Sequence, residues 1–151
     1  MASIVAVVPA LNEARHIARV IRSMPAVIGH IIMVDDGSSD GTDEVARRLG
    51  DSRLEIIRHD QPRGVGAAIA VGYRRARDLG ASAAVVLAGD GQMDPDDLPR
   101  LIAPILAGHA DYVKGNRLRW PGGARVFPRA RLAGAVVFGT LTSWACGIRV
   151  E

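Results

Sequence analysis

Three apolar runs in this chain each end at a turn rich in acidic and amide side chains. Short apolar runs flanked by helical patterns are typical of buried parallel strands, whose carboxyl ends lie along one edge of the sheet. Ligands of open α/β sheets bind outside that edge, so we expect the polar side chains of the turns to share one crevice. Carboxylates in one crevice repel each other unless a cation or a ligand rich in hydroxyl and amide groups binds there, which predicts a metal-assisted nucleotide site. The runs with their turns are IVAVVPALNE (4–13), IIMVDDGSSDGT (31–42) and AAVVLAGDGQMDP (83–95), and the polar residues are Asn12, Glu13, Asp35, Asp36, Asp90 and Gln92.

Strand and helix patterns alternate along the chain up to residue 110. This alternation predicts an α/β fold with a mainly parallel sheet. The predicted strands are residues 4–8, 31–34, 54–57 and 83–88, with a short fifth strand at 112–114. Helices are predicted to begin after Asn12, at Asp40 or Thr42, at Gly64 and at Pro95, and the first three to end near Pro25, before Gly50 and before Gly80. The buried stripe of the last helix is predicted at Leu98, Leu101, Ile102 and Ile105.

The composition is that of a globular protein. A chain of 151 residues with 48% hydrophobic and 23% charged residues is long enough for one ordinary domain with a real core. The single cysteine, Cys146, excludes an intramolecular disulfide and a cysteine-cluster metal site, which fits a reducing compartment. The first apolar run has no basic segment before it and is broken by Pro9, so it predicts a first strand and not a signal peptide. We therefore expect a cytoplasmic protein.

Asp90-Gly91-Gln92 directly follows the third apolar run. Two oxygen-bearing side chains on one tight turn can face the same point, and hard divalent cations prefer carboxylate and amide oxygens while leaving positions for substrate phosphates. The turn therefore predicts a Mg²⁺ or Mn²⁺ site at Asp90 and Gln92. Alone this pattern is weak, because aspartate is also a common turn former and helix cap. Asp94, which precedes Pro95, is expected to be only a cap.

Two other segments offer groups suited to a nucleoside diphosphate. Asp36 can accept hydrogen bonds from a ribose or a base, and residues 9–13 offer backbone and carboxylate groups to a planar base, although Asn12 alternatively caps the next helix. Arg63-Gly64 opens a helix with small residues, which let a diphosphate approach the helix N-terminus while Arg63 pairs with it. This segment lacks the Lys-Ser/Thr pair of a P-loop.

The C-terminal part of the sequence is basic and then apolar. Residues 112–150 contain seven Lys or Arg and no acidic residue, which favours an anionic partner such as phosphate or an acidic membrane surface. Nucleic acid is disfavoured, because the basic loop at residues 115–130 has only Trp120 and Phe127 as possible stacking groups. Residues 132–148 are uncharged and apolar but short and interrupted by glycine, threonine and serine. They predict a buried or membrane-surface helix and not a membrane span.

A basic loop that runs into an apolar helix suits a substrate with a phosphate head and a hydrocarbon tail. It also suits peripheral docking on an anionic membrane surface. We therefore assign acceptor binding to Arg117, Arg129 and Arg131. The alternative is that residues 132–148 pack against a neighbouring subunit, which would make the protein a homo-oligomer, or against a further C-terminal segment.

Taken in order, the motifs VVPALNE, VDDGSSDGT, GVGAAIAVGYRRA, GDGQMDPDDLPRL and ADYVKGNR run through residues 1–120. In this combination they resemble family-2 glycosyltransferases with the GT-A fold, especially a bacterial branch similar to polyprenyl-phosphate mannosyl- and glucosyltransferases. The resemblance implies a GT-A α/β/α sandwich with Mg²⁺ or Mn²⁺ beside the diphosphate of a sugar nucleotide. It also implies roles for individual residues: Pro9, Ala10, Glu13 and Asp36 line the nucleoside pocket, Asp90 and Gln92 hold the metal, and Asp90 and Arg117 act in catalysis, with Arg117 near the transferred group or the acceptor phosphate.

Two features depart from the family pattern. Relatives commonly carry Asp-Gly-Asp-Gly-Gln or Asp-Ala-Asp-x-Gln at the metal turn, whereas Ala88 replaces the first aspartate here. The family also usually continues beyond the segment 147–149 into further helices and often membrane spans, whereas this sequence stops at Glu151. We therefore expect a truncated catalytic domain or a short homologue. Residues 1–115 would be its nucleotide-sugar-binding α/β part, and residues 116–151 the start of the acceptor side of the same domain.

The leading hypothesis is an inverting sugar transferase at the inner face of the membrane. It would move a sugar from a UDP- or GDP-linked donor to a polyprenyl phosphate, with a metal ion neutralising the leaving diphosphate. A phosphomonoester, with a second pKa of about 6, is already a nucleophile near neutral pH, so no protein base is required. The rival hypotheses are a nucleotide-binding fragment without turnover and a nucleotidyltransferase. The latter is disfavoured because that class usually carries a glycine- and arginine-rich loop where this chain has residues 9–13.

Overall fold

The structure, a computed structural model, describes residues 3–115 and shows a four-stranded sheet. The strands are β1 (Ile4–Ala10), β2 (His30–Asp35), β3 (Leu54–Arg58) and β4 (Ala83–Val86). The helices are α1 (Ile17–Arg22), α2 (Thr42–Arg47), α3 (Val65–Asp78) and α4 (Leu98–Leu106), the last preceded by a 3₁₀ turn at Pro95–Asp97. The strand order is β3-β2-β1-β4, and every pairing is parallel. The predicted α/β fold is confirmed.

Helices cover both faces of the sheet, which gives three layers. On one face, Ala6 and Val8 of β1 pack with α1, α2 and α4, and on the other face Val5 of β1 and Val34 of β2 pack with α3. All seven residues of β1 are buried, because this strand lies inside the sheet with helices on either side. Burial on both faces explains why the strands read as continuous apolar runs and not as alternating patterns.

The helices form where the apolar periodicity predicts them. Beyond α2 and α3, Gly50 and Gly80 adopt φ values of +62° and +69°, as expected for helix stops. Asp94 caps the 3₁₀ turn by accepting the backbone N–H of Asp96 at 3.0 Å. The buried residues of α4, Leu98 and Ile102, are among those predicted, and α1 buries Ile17, Val20 and Ile21.

The predicted fifth strand is wrong. Residues 112–115 have no regular secondary structure. Tyr112 and Lys114 are exposed and only Val113 is half-buried. One partly buried side chain provides too little apolar contact to hold an edge strand on the sheet.

Two predicted boundaries also change. β4 ends at Val86 and not at residue 88, although the backbone N–H groups of Leu87 and Gly89 still donate to the carbonyl oxygens of Val7 and Pro9 before the turn that carries Asp90. Asn12 does not cap α1, since the helix begins only at Ile17 and Asn12 has a φ of +56° in the preceding loop.

Residues 116–151 lie outside the described part of the chain. The basic loop with Arg117, Arg129 and Arg131, the apolar helix at 132–148 and the division after residue 115 therefore stay predictions. Among the helices of residues 3–115, none combines the length and the apolar character needed to cross a membrane.

Helix α3 lies close against the sheet at Gly72. A Cβ atom at this position would overlap the Cγ1 atom of Val7 in β1, so only glycine lets the helix backbone come this near. Gly66, earlier in the same helix, is exposed, and a Cβ atom there would meet nothing within 4 Å.

We expect Gly72→Ala to lower the free energy of unfolding by about 1–3 kcal/mol, because the added methyl group pushes α3 away from β1. Gly66→Ala is the matched control and should leave the free energy of unfolding unchanged or raise it by up to about 1 kcal/mol, since alanine favours helix. Urea unfolding followed by circular dichroism measures both variants. Equal stability of the two would contradict the close packing of α3 on β1.

Candidate functional site

The β1–α1 and β2–α2 loops are joined at the carboxyl edge of the sheet. Three consecutive backbone N–H groups of the first loop donate to side chains of the second. In the opposite direction, the N–H of Ser39 donates to Asn12 Oδ1 at 2.9 Å. The position of one loop therefore determines that of the other. The three donated bonds run from Asn12 N to Ser38 Oγ (2.9 Å), from Glu13 N to Thr42 Oγ1 (2.8 Å) and from Ala14 N to Asp40 Oδ2 (3.0 Å).

The start of α2 is shared with this junction. Gly41, with a φ of +83°, occupies the cap position of the helix, and Asp40 Oδ1 accepts the N–H of Thr42 at 3.1 Å. The second oxygen of Asp40 and the hydroxyl of Thr42 both accept from the β1–α1 loop. Asp40 and Thr42, which were predicted as alternative caps of this helix, therefore act together. They accept hydrogen bonds from the β1–α1 loop as well as at the start of α2.

Asp35 is turned into the protein. It is fully buried; its Oδ2 accepts from Arg58 Nη1 at 2.5 Å and its Oδ1 from the backbone N–H of Ser38 at 3.0 Å. Arg58 also donates to Asp43 Oδ1 and to the carbonyl oxygen of Ser38, both at 2.7 Å. Asp35 thus fixes the β2–α2 turn from inside, which corrects the expectation that it lines the crevice.

Asp36, the next residue, binds the segment that leads into α3. It is 3% exposed; its Oδ1 accepts from His59 Nδ1 at 2.7 Å and from the N–H of Arg63 at 2.9 Å, and its Oδ2 accepts from the N–H of Gly64 at 2.7 Å. Burial raises the pKa of Asp36, but the hydrogen bonds from His59, Arg63 and Gly64 outweigh burial and hold the pKa below its ordinary value. Asp36 is therefore an ionised carboxylate in contact with Arg63 and Gly64, two of the predicted site residues.

The surface over the start of α3 is open. Gly64 precedes the helix with a φ of +92°, and a Cβ atom at Gly64 or Gly66 would meet nothing within 4 Å. The side chain of Arg63 is exposed beside them. An anionic group can therefore approach this helix end, where backbone N–H groups and the helix dipole favour negative charge.

The Asp90 turn packs directly against the carboxyl end of β1. The N–H of Gly89 donates to the carbonyl oxygen of Pro9 at 3.1 Å, and a Cβ atom at Gly89 would lie only 3.1 Å from the Cβ of Ala10. Asp90 Oδ1 accepts the N–H of Gln92 at 2.9 Å, and the Gln92 side chain is exposed. Glycine at position 89 thus lets the turn lie beside Pro9 and Ala10.

The Pro9–Ala10 backbone connects the two halves of the edge. The carbonyl oxygen of Pro9 accepts from Gly89, and the carbonyl oxygen of Ala10 accepts from the N–H of Asp36 at 2.9 Å. Glu13 lies farther along the loop, and its half-buried side chain meets His16 Nδ1 through Oε2 at 2.8 Å. Of the predicted residues, Pro9 and Ala10 are therefore in direct backbone contact with the Asp36 side and the Asp90 side.

The Asp90 turn fits a divalent cation that arrives with its substrate. Within the turn only one oxygen of Asp90 is engaged, and Gln92 adds an amide. Within residues 3–115, no group of three or more His, Cys, Asp or Glu side chains is placed to hold a metal ion. Mg²⁺ is usually held by one or two carboxylates together with substrate phosphates and water. The donor set therefore suits a cation bound jointly with a diphosphate and does not suit a structural metal.

The match to a known family covers nearly all of the chain. The model of glycosyl transferase family 2 matches residues 5–145. The chain belongs to this family. Among solved structures, glucosyl-3-phosphoglycerate synthase of Mycobacterium tuberculosis, in complex with Mn²⁺, UDP and glucosyl-3-phosphoglycerate, aligns with a TM-score of 0.57 and 26% identity, covering 70% of this chain and 40% of that chain. The family and the GT-A-type sandwich predicted from the sequence are confirmed.

Two relatives carry names that describe their substrates. A UDP-N-acetylglucosamine–dolichyl-phosphate N-acetylglucosaminyltransferase of Methanococcus voltae is 32% identical in an alignment that covers 85% of this chain and 57% of that protein. A polyprenol monophosphomannose synthase of Mycolicibacterium smegmatis is 31% identical in an alignment that covers 96% of this chain and 56% of that protein. The chain thus spans just over half the length of these curated relatives.

Sequence reasoning missed the side chains that hold the site residues in position. Arg58 and His59 follow each other at the end of β3, and each pairs with one of the two aspartates at the end of β2. Their positions in the sequence carry no motif that would have indicated this. The pairing follows from the strand register, in which Asp35 lies opposite Arg58.

Asp36→Asn should destabilise the fold by about 1–3 kcal/mol near pH 7, because the amide cannot accept from all three N–H groups. Since the folded-state pKa of Asp36 lies below its ordinary value, its stabilisation is complete above about pH 4 and is lost as the pH falls through the folded-state pKa. The difference in stability between parent and variant should therefore shrink in acid. Urea unfolding at a series of pH values measures it, with the exposed Asp60→Asn as control. A difference that does not change with pH would contradict the account.

Proposed function

We propose that the chain transfers a glycosyl group from a nucleotide-diphosphate sugar to a polyprenyl phosphate, with inversion and with the help of Mg²⁺ or Mn²⁺. The observation that carries the proposal is the packing of the Asp90 turn on Pro9 and Ala10 in a chain of glycosyl transferase family 2. This packing places one carboxylate on each side of β1, Asp36 on the β2 side and Asp90 on the β4 side. A sugar nucleotide suits such an edge, because its base and its diphosphate require different partners a short distance apart.

The nucleoside site is proposed at Pro9, Ala10, Glu13 and Asp36. A carboxylate offers about four lone-pair positions. Three N–H groups occupy positions on Asp36, two on Oδ1 and one on Oδ2, so Oδ2 keeps a position for a ligand N–H or O–H group. UDP in the Mycobacterium tuberculosis synthase complex supports a uridine donor, and GDP is the alternative that the assay below compares.

The diphosphate site is proposed between Arg63 and the Asp90 turn. Arg63 is exposed at the start of α3, where the small residues Gly64 and Gly66 leave room for phosphate oxygens. Arginine binds phosphate through two parallel N–H groups, and the helix N-terminus adds partial positive charge. Asp90 and Gln92 would hold a divalent cation on the other side of the diphosphate. When bound, the cation supplies positive charge that stabilises the leaving nucleoside diphosphate.

The acceptor site is proposed in the basic segment with Arg117, Arg129 and Arg131. The names of the Methanococcus voltae and Mycolicibacterium smegmatis relatives, a dolichyl-phosphate transferase and a polyprenol monophosphomannose synthase, support a lipid phosphate acceptor. An oxygen of the acceptor phosphate forms the new bond to the anomeric carbon while the bond to the diphosphate breaks. The phosphate oxygen is already ionised near neutral pH, so Arg117 serves to hold it and no protein base is needed.

A lipid acceptor also implies a cellular location for the proposed reaction. A polyprenyl tail lies in a membrane, so the proposal implies peripheral contact with the inner membrane face and a part in building cell-envelope glycans. Residues 132–148 would supply the apolar side of that contact. If they form a subunit interface instead, the chain is a homo-oligomer and the lipid is held by the basic segment alone.

The proposal is tested by incubating the full chain with Mn²⁺, UDP-glucose, UDP-N-acetylglucosamine or GDP-mannose, and a short polyprenyl phosphate. Mass spectrometry of the lipid fraction should detect a lipid-linked sugar. The matched polyprenol without phosphate should give none. Nucleotide binding without product would favour the nucleotide-binding fragment without turnover, and absence of nucleotide binding would refute the donor site as well.

Asp90→Asn should abolish the Mn²⁺ dependence of UDP or GDP binding and lower turnover by about 100-fold or more, because a charged group that acts at the leaving diphosphate is lost. Asp94→Asn is the matched control, since an asparagine side chain can still cap the 3₁₀ turn and this variant should bind and react like the parent. Isothermal titration calorimetry with and without Mn²⁺ measures binding. If the Asp90 variant retains the metal dependence of the parent, Asp90 is only a turn former.

A further inference from the structure

His59 is a buried polar residue that none of the motifs includes. It follows β3, is 6% exposed, and its backbone N–H extends the pairing with β2 by donating to the carbonyl oxygen of Asp35 at 2.9 Å. Its Nδ1 lies 2.7 Å from Asp36 Oδ1. Among residues 3–115, its Nε2 is buried and has no hydrogen-bond partner. A histidine kept in this environment with one nitrogen unpaired calls for an explanation, because unpaired buried polar atoms are costly.

The contact with Asp36 supplies that explanation. The low pKa of Asp36 means that its carboxylate is ionised and can only accept hydrogen bonds, so His59 Nδ1 carries the proton and donates. The bond reaches Oδ1, the oxygen that also takes the N–H of Arg63. Oδ2 is left with the N–H of Gly64 alone. His59 therefore fixes the rotation of the carboxylate about its Cβ–Cγ bond.

A fixed carboxylate in turn fixes the segment before α3. Gly37 lets this segment come close to the end of β2, since a Cβ atom at position 37 would lie only 2.9 Å from the Gln61–Pro62 backbone. The backbone therefore passes close over the end of β2 and reaches Asp36 through the N–H groups of Arg63 and Gly64. If Asp36 rotated, both N–H groups would lose their acceptor, and the open surface at the start of α3 would move.

We propose that His59 is a positioning residue of the nucleotide site, which acts through Asp36 and touches no ligand itself. By donating from Nδ1 it holds Asp36 so that Oδ1 accepts the N–H of Arg63, while Oδ2 accepts the N–H of Gly64 and keeps a lone-pair position for the nucleoside. The inference rests on the proposed function, since it assigns His59 to the same nucleotide site. The unpaired Nε2 is a consequence of using histidine for its Nδ1 donor.

Asparagine and leucine at position 59 provide a matched pair of variants. Both branch at Cγ and have similar size, but only asparagine carries an N–H donor where histidine has Nδ1. Two readouts are needed on the full chain. Hydrogen exchange of the segment 60–66 reports whether Arg63 and Gly64 keep their acceptor without any ligand present, and calorimetry with UDP or GDP in the presence of Mn²⁺ reports affinity.

We expect His59→Asn to retain slow exchange in segment 60–66 and nucleotide affinity close to that of the parent. His59→Leu should show faster exchange and about tenfold or more weaker affinity, because a hydrogen bond to a charged group is lost.

Equal loss of affinity in both variants, with exchange unchanged, would overturn the inference and make Nε2 a ligand contact. Parent-like behaviour of His59→Leu in both readouts would overturn it too. If the parent binds neither UDP nor GDP, the proposed function fails at its donor site, whereas unchanged exchange in His59→Leu would refute the positioning role itself.

Discussion

Two buried carboxylates at the end of β2, Asp35 and Asp36, determine how the carboxyl edge is built. Successive side chains of an extended strand point to opposite faces, so these neighbours act on different layers of the sandwich. Asp35 binds Arg58 and the β2–α2 turn, and Asp36 binds His59 and the backbone that leads into α3. A buried charge is very costly unless it is paired and hydrogen-bonded, so each carboxylate requires its complete set of donors. The loops around the crevice are arranged to satisfy these two charges.

Strand β1 connects this junction to the Asp90 turn. The carbonyl oxygens of Pro9 and Ala10 accept from Gly89 on one side and from Asp36 on the other. Two successive carbonyl groups of β1 therefore hold the Asp90 turn and the Asp36 turn, one on each side of the strand. In our proposal the division is chemical as well: Asp36 serves the nucleoside with one oxygen, while Asp90 serves the charged diphosphate.

The sequence predicts the strands and most helices well, because burial on both faces leaves continuous apolar runs and because Gly50 and Gly80 mark helix ends. It predicts the fifth strand wrongly, since an apolar pair such as Tyr112-Val113 indicates a strand only where a neighbour can bury it. That the acidic turns form a ligand site stays a prediction. What each carboxylate does was not predictable, because Arg58 and His59 reach their partners only through the β2–β3 register, and no local pattern encodes that register.

The most direct test of the account is the place where a paramagnetic metal binds. Mn²⁺ broadens the NMR signals of nearby nuclei, so titrating Mn²⁺ into the ¹⁵N-labelled chain with UDP or GDP present maps the site without an activity assay. We expect the strongest broadening at the amides of Asp90, Gly91 and Gln92, weaker broadening at Ala10 and Gly64, and none at Arg53 at the other end of the strands. Broadening that is centred elsewhere, or that is the same without nucleotide, would contradict a metal-assisted nucleotide site at this edge.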